Sequence, residues 1–162
     1  MDIPRSDSEI QKLLAEKKER LKELSCINQT TQIIKEGKMI EETLRRITFI
    51  LPKAWQYPDH TVARIRYGDF EFTTHIFRET AFAQSQSFRT IHNVSGSIDI
   101  FYLKEFPELD EGPFLKEERN LINNLASIVS NYLNTIEARM ILKRTQEQDN
   151  LRPEITEFNT GK

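Results

Sequence analysis

An apolar stripe near the C-terminal end constrains the fold of this chain more than any other feature of its sequence. Its residues recur at steps of three and four, which is the spacing of one face of an α-helix: Leu121, Leu125, Ile128, Tyr132, Ile136 and Met140, with Ile122, Val129 and Leu133 beside them. Gly112 and Pro113 precede the stripe as a turn signal. Glu117 and Glu118 then fall in the predicted first turn, where acidic side chains favour the helix dipole. The stripe is longer than a small sheet can cover, so we expect this helix to extend past its own domain.

Another long helix is predicted at the other end of the chain, from Ser6 to Gly37. Ser6 and Glu9 match a capping box, and glycine at position 37 is a typical C-terminal cap. Part of this segment has the spacing of one seam of a heptad repeat, at Ile10, Leu14, Leu21 and Leu24. Polar residues occupy the remaining seam positions, so the repeat is interrupted.

A seam this narrow favours a helix that packs against a partner, and we expect a homodimer held by a coiled coil or a helix bundle. The predicted interface comprises Ile10, Leu14, Leu21, Leu24, Tyr132, Ile136 and Met140. The alternative is a solvated amphipathic helix that lies on its own domain.

The middle of the chain predicts an antiparallel sheet. A short helix is expected at residues 39–55, ended by Pro52, and four strand-like segments follow at residues 61–67, 70–77, 86–94 and 96–103. Gly68-Asp69 and Ser95-Gly96 are connections of hairpin length, too short to cross over to a parallel strand. We therefore predict an α+β fold, an α/β sandwich in which a central antiparallel sheet of at least four strands carries the long N- and C-terminal helices packed together on one face.

The same patterns divide the chain into three parts. Residues 1–24 are expected to form an N-terminal helical extension and residues 25–140 a domain, with residues 141–162 as a C-terminal helical extension and linker. The segment beyond Gln148 is polar and interrupted by proline, which is typical of a linker. The turn at Gly112 and Pro113 is expected to direct the last helix alongside the first.

Two arginines are the best candidates for binding chemistry. Arg64 and Arg66 share one face of the first strand and are suited to bidentate contacts with a carboxylate or phosphate. Six residues form the candidate ligand site: Arg64, Arg66, His75, Arg89, Trp55 and Tyr57. The alternatives are arginines that are solvated or paired with Glu71 and Asp99 across the sheet, and a Trp55 that plugs the corner between helix and strand.

Composition and motifs argue against several classes of protein. A net charge of −2 and a pI near 6.0 give no basic footprint for nucleic acid, and no apolar run approaches the roughly 20 residues of a membrane span. A single cysteine, Cys26, leaves a reducing cytoplasm as the expected compartment. The three histidines lack metal-ligand spacing, and no phosphate loop or nucleophile elbow is present. We expect neither a cofactor nor catalysis from this chain.

The order of elements and the phrase "FLKEERNLINNLASIVSNYL" resemble the GAF domain family of small-molecule sensors. The residues that match the closing pattern of that family are Phe114, Glu118, Arg119, Leu121, Ile122, Leu125 and Ala126. "LPKAWQYPDHTVARIRYGD" and "FRETAFAQSQSF" look like the GAF-type segments in front of bacterial phosphoenolpyruvate-synthase-like enzymes and sensor histidine kinases. Bilin-binding members carry a cysteine in the pocket region, whereas Cys26 lies on the first predicted helix, so no attached chromophore is expected.

The resemblance implies a sensory or regulatory module that forms part of a longer protein. On this interpretation the chain dimerises through its terminal helices and transmits a small-molecule or partner signal to an attached effector domain. Two alternatives remain: a GAF-shaped dimerisation module with a filled core and no ligand, and an enzyme that uses the GAF fold.

Overall fold

The computed structural model describes residues 6–160 and the side chains of residues 6–151. Its helices and strands are, in chain order, α1 (Asp7–Lys35), α2 (Ile40–Ile50), β1 (Thr61–Tyr67), β2 (Phe70–Thr73), β3 (Ala83–Arg89), β4 (Ser95–Tyr102) and α3 (Lys116–Thr160). Two 3₁₀ turns, Leu51–Ala54 and Pro58–His60, join α2 to β1 where prolines end regular helix.

The strands form one antiparallel sheet in the order β2-β1-β4-β3, which confirms the predicted α+β class and the antiparallel pairing. The two-residue turn at Gly68-Asp69 is also as predicted, with Gly68 at a φ of 56°. The predicted turn at Ser95-Gly96 is wrong, because both residues belong to β4 and residues 90–94 make the connection. Thr90 closes that turn by accepting a hydrogen bond from the Val94 N–H at its Oγ1.

The strand order forces an unusual connection between β2 and β3. These two strands are the opposite edges of the sheet, so residues 74–82, called here the strap, must cross both β1 and β4. The prediction that β2 continues to residue 77 is wrong. Thr74 leaves the strand and bonds the Ala63 N–H through its hydroxyl at 3.0 Å, and Ile76 turns into the left-handed region at a φ of 55°.

The helices cover one face of the sheet, called here the inner face. Five side chains on it are fully buried: Ala63, Ile65, Ile98, Ile100 and Tyr102. α2 packs against β1 and β2, while α3 packs against β3 and β4. The other face, called here the outer face, carries Arg64, Asp99 and Phe101, and the strap crosses over it. One layer of helices and one sheet therefore enclose the core.

The terminal helices lie side by side, as predicted, and they run parallel. Residues 13–24 of α1 share a groove with residues 116–120 of α3, and residues 31–38 share another with residues 128–139. α1 is capped as predicted, since the Ser6 Oγ accepts a hydrogen bond from the Glu9 N–H. Gly37 follows the helix at a φ of 66°.

The parallel arrangement leaves an exposed segment at each end of the helix pair. Residues 7–12 of α1, called the α1 overhang, are exposed along their whole length. Residues 138–160 form the α3 overhang, whose described side chains are all exposed. Helix continues through residues 149–160, which the sequence indicated as a linker.

Replacement of Gly96 by alanine should destabilise the fold. Gly96 faces Phe88 across the β3–β4 pair, and a Cβ at this position would lie 2.5 Å from the Arg66 carbonyl oxygen and in contact with the Phe88 ring. Backbone cannot yield as a side chain can, so we expect Gly96→Ala to lower the free energy of unfolding by about 1–3 kcal/mol. Urea titration followed by circular dichroism measures this, with the exposed Ser95→Ala as control; equal stability of the two variants would contradict the packing argument.

Candidate functional site

The predicted arginines lie together on the outer face of β1, beside the strap. Arg64 is 6% exposed and stands opposite Asp99 of β4, whose Oδ2 accepts a hydrogen bond from the Arg64 Nε at 2.9 Å. The side chain of Arg66 is 47% exposed, one step further towards the Gly68-Asp69 turn. Asp99 is itself buried and also accepts from the Ser97 hydroxyl at 3.0 Å, so the Arg64–Asp99 pair is a fixed part of the sheet.

Two further carboxylates complete an ionic group, called here the arginine cluster: Arg64, Arg66, Glu71, Glu79 and Asp99. The Oε1 of Glu79, on the strap, accepts from the Arg64 Nη1 at 2.5 Å and from the Arg66 Nη2 at 3.4 Å. Glu71 of β2 lies 3.4 Å from the same Arg64 nitrogen. The arginines are therefore paired with Glu71 and Asp99, which is the alternative considered from sequence. Anion binding by these arginines stays a prediction.

Aromatic rings cover the guanidinium of Arg64 on the strap side. Its Cζ lies 5.2 Å from the centroid of Phe77 and 5.4 Å from that of Phe101, within the range of a cation–π contact. Burial by itself would lower the pKa of Arg64, but the hydrogen bonds to Glu79 and Asp99 outweigh burial and hold that pKa above its ordinary value. The cluster is thus a charged centre under a partial aromatic cover.

The other four predicted ligand residues lie away from the arginine cluster. Trp55 is fully buried on the inner side and donates from Nε1 to the Gln84 Oε1 at 3.0 Å, so it is the core plug named as the alternative. Tyr57 stacks on Phe106 with ring centroids 3.7 Å apart. His75 is exposed and lies in a groove between α2 and β2, with its ring tilted by 31° against that of Phe49. Arg89 is exposed at the end of β3.

A buried glutamate that the sequence did not single out for binding fixes the start of α3. Glu118 is 2% exposed, and its carboxylate accepts hydrogen bonds from four groups: the Leu115 N–H, the Gln56 N–H, the Gln56 side-chain amide and the Tyr102 hydroxyl. Its bond to the N–H three residues back is half of a capping box, a pattern that sequence can supply. The remaining contacts join segments distant in the chain.

Another buried glutamate ties α3 to the sheet at the point where the overhang begins. Glu137 accepts from the Tyr67 hydroxyl at 2.6 Å and lies 3.0 Å from the Nδ1 of His92, in the turn between β3 and β4. One turn earlier on α3, the Asn134 Oδ1 accepts from the Ile91 N–H at 2.8 Å. This Glu137 junction is the last buried contact of α3 within the described side chains.

The residues predicted for a dimer interface differ in exposure. Ile10, Leu14, Leu21 and Leu24 are 43%, 61%, 57% and 50% exposed, and Met140 is 48% exposed. Tyr132 and Ile136 are half-buried and line a groove of about 430 Å³ between α1 and α3. A second groove between these helices, of about 870 Å³, contains Leu13 and Leu24. The structure thus leaves the predicted seam of α1 open to solvent.

The described part of the chain contains no group of three histidine, cysteine or carboxylate side chains placed to hold a metal ion. Within residues 6–160, no helix combines the length and the apolar character that crossing a bilayer requires. No protein-family model, curated protein or solved structure matches this chain. The resemblance to GAF domains therefore stays a prediction, and the residues themselves carry any functional argument.

The Glu137 junction should make stability depend on acid pH. Burial by itself would raise the pKa of Glu137, but hydrogen bonds from Tyr67, Thr90 and His92 outweigh it and lower the pKa below its ordinary value of 4.5. The unfolded chain then takes up a proton first as the pH falls, so the stabilisation present above about pH 4.5 is lost as the pH drops through the folded-state pKa.

Urea titrations at pH 7 and pH 3.5 test this, with Glu137→Gln compared to the wild type. We expect the variant to lose less of its unfolding free energy between the two pH values, because its side chain cannot titrate. Glu147→Gln, an exposed position on the same helix, is the control and should follow the wild type. Parallel pH dependence of all three proteins would contradict the assigned role.

Proposed function

We propose that the chain is a GAF-like regulatory module that dimerises through its terminal helices and relays a small-molecule or partner signal to an attached effector domain. The observation that carries the proposal is the parallel pairing of α1 and α3 with overhangs at opposite ends. A shift of one helix along or around the other then changes the relative positions of the two overhangs. The effector that the resemblance implies is a phosphoenolpyruvate-synthase-like enzyme or a kinase.

The open seam of α1 supports dimerisation. Cys26, Thr30 and Ile33 form the buried face of this helix. Leu24 is two residues from Cys26, hence about 200° around the helix, so the seam lies off the buried face, with Leu24 at the edge of the groove towards α3. Four large apolar side chains, each exposed by two-fifths or more, lie along it. Their spacing matches part of the contact positions of a helix that packs in a coiled coil or a helix bundle.

The Glu137 junction supports the relay. It connects the last residue of β1, Tyr67, and the β3–β4 turn to α3 immediately before the overhang. Tyr67 directly follows Arg66 of the arginine cluster, on the opposite face of the same strand. A change at the cluster that moves this end of β1 therefore acts on the helix that leaves the domain.

A second candidate function is a dimerisation module without a ligand. It is favoured by the filled inner core, where Trp55, Tyr102 and Phe114 are all fully buried, and by the pairing of both arginines with carboxylates. Both candidates require the helical dimer and differ only in whether a ligand acts on it.

The double variant Leu21→Asp/Leu24→Asp should abolish the dimer. Each substitution places a carboxylate in an interface that would bury the leucines, and unpaired charge is strongly disfavoured there. Sedimentation velocity should show a monomer for the variant at concentrations at which the wild type is a dimer. Circular dichroism of both proteins verifies that the fold is retained, since neither leucine belongs to the buried core.

Lys12→Asp is the matched control, because it changes the net charge by the same two units. Lys12 lies nine residues from Leu21, about half a turn away around α1, and is also exposed. It should leave the dimer intact. A wild type that sediments as a monomer, or a double variant that remains dimeric, would refute the proposed interface.

A further inference from the structure

We propose that Glu79 occupies the place of an exchangeable anionic ligand on Arg64 and Arg66, and that this ligand is a small molecule with a carboxylate or phosphate group. The glutamate would then act as a built-in competitor that a ligand displaces. The biological role of this ligand rests on the proposed regulatory function, because the ligand would be the signal that the module relays. The geometric basis of the inference is independent of whether the chain forms a dimer.

The two guanidinium groups converge on one point, and Glu79 fills it. A single oxygen, Glu79 Oε1, receives both the Arg64 Nη1 and the Arg66 Nη2. A carboxylate or phosphate has several oxygens and can accept hydrogen bonds from both guanidinium groups together. Bidentate hydrogen bonding of this kind is the arrangement in which arginine binds oxyanions most strongly. The position is therefore suited to an oxyanion, and the protein supplies one from its own chain.

Burial distinguishes the exchangeable carboxylate from the permanent one. The side chain of Asp99 is 6% exposed and held by both Arg64 and Ser97, whereas that of Glu79 is 61% exposed. Loss of Asp99 from its partner would leave a buried charge unpaired, which is costly. Glu79 can return to water at less cost, because its carboxylate is already largely solvated and Arg64 keeps its pair with Asp99.

The strap allows the side chain to move while its backbone stays in place. Arg78 donates to the Leu103 carbonyl at 3.0 Å, and the Thr80 hydroxyl donates to the Tyr102 carbonyl at 2.7 Å. These side-chain bonds tie the strap to the end of β4 on both sides of Glu79. Rotation of one exposed side chain is then sufficient to free the convergence point, and no loop has to open.

The charges of the arginine cluster predict different effects on anion binding for neutralisation of Glu79 and of Glu71. The arginine cluster holds three carboxylates and two guanidinium groups, so a free anion meets an excess negative charge while Glu79 is in place. Neutralisation of Glu79 removes that excess and the competitor together. Neutralisation of Glu71 changes the charge equally, but Glu71 lies 3.4 Å and 3.8 Å from the two arginines and does not receive both of them in hydrogen bonds.

The test is an NMR titration of the wild type, Glu79→Gln and Glu71→Gln with inorganic phosphate and, separately, with acetate. Sodium chloride at equal ionic strength corrects for screening. We expect Glu79→Gln to bind at least one of the two anions about three- to tenfold more tightly than the wild type does, with shifts at Arg64, Arg66 and the strap. Glu71→Gln should gain less. The anion that binds more tightly identifies the chemistry of the ligand group.

Removal of one guanidinium provides the second control. Arg66→Gln in the Glu79→Gln background should return the affinity to the wild-type level or below it, and Arg66 is exposed enough for the fold to tolerate the change. The inference is overturned if Glu79→Gln binds neither anion more tightly than Glu71→Gln does. Sedimentation of the same samples separates the two proposals: a monomer that binds the anion refutes only the dimer, and a dimer that binds none refutes only this inference.

Discussion

One buried carboxylate, that of Glu118, fixes the position at which α3 begins. Its four hydrogen bonds join the first turn of α3 to the segment after α2 and to the end of β4. Such a group is costly to bury unless every oxygen is satisfied, and here each is satisfied by donors from separate parts of the fold. The point at which α3 begins and the strand it leaves are thereby fixed together. From that point α3 runs parallel to α1, in contact with α1, β3 and β4.

The outer face of the sheet is covered in a different way from the inner face. Helices cover the inner face, whereas the described residues that cross the outer face are those of the strap, whose path follows from the strand order. A nine-residue crossing cannot bury two strands with apolar side chains alone. Ion pairs and the rings of Phe77 and Phe101 take that role, with Arg64 at the centre. The cover of the outer face is therefore partly ionic, whereas the core under the helices is apolar.

Sequence periodicity predicted the elements whose signals are local. The caps of α1, the long stripe of α3 and the two-residue turn at Gly68-Asp69 are set by residues within a few positions of each other, and all are present. β3 was misplaced because the β-branched residues in "TIHNV" mimic a strand, while Thr90 and the left-handed Asn93 fold them into a turn.

The candidate site was only partly predictable, because most of its contacts join residues that are far apart in the sequence. Arg64 and Asp99 were identified because alternation places them on one face, but Glu79 lies in a loop with no periodic pattern. The two buried glutamates act over still longer separations, with 62 residues between Glu118 and Gln56 and 70 between Glu137 and Tyr67. Trp55 is a core residue by its full burial, and its hydrogen-bond partner Gln84 is 29 residues away in the chain.

The overhangs at opposite ends also determine how such a domain fits into a larger assembly. A chain that enters at one end of a helix pair and leaves at the other keeps its direction. Consecutive domains of this kind can therefore be arranged along a common axis. The α3 overhang alone spans about 35 Å at the rise of an α-helix. Over that length, a rotation of about 5° at the Glu137 junction becomes a displacement of about 3 Å at the far tip when the helix moves as a rigid rod.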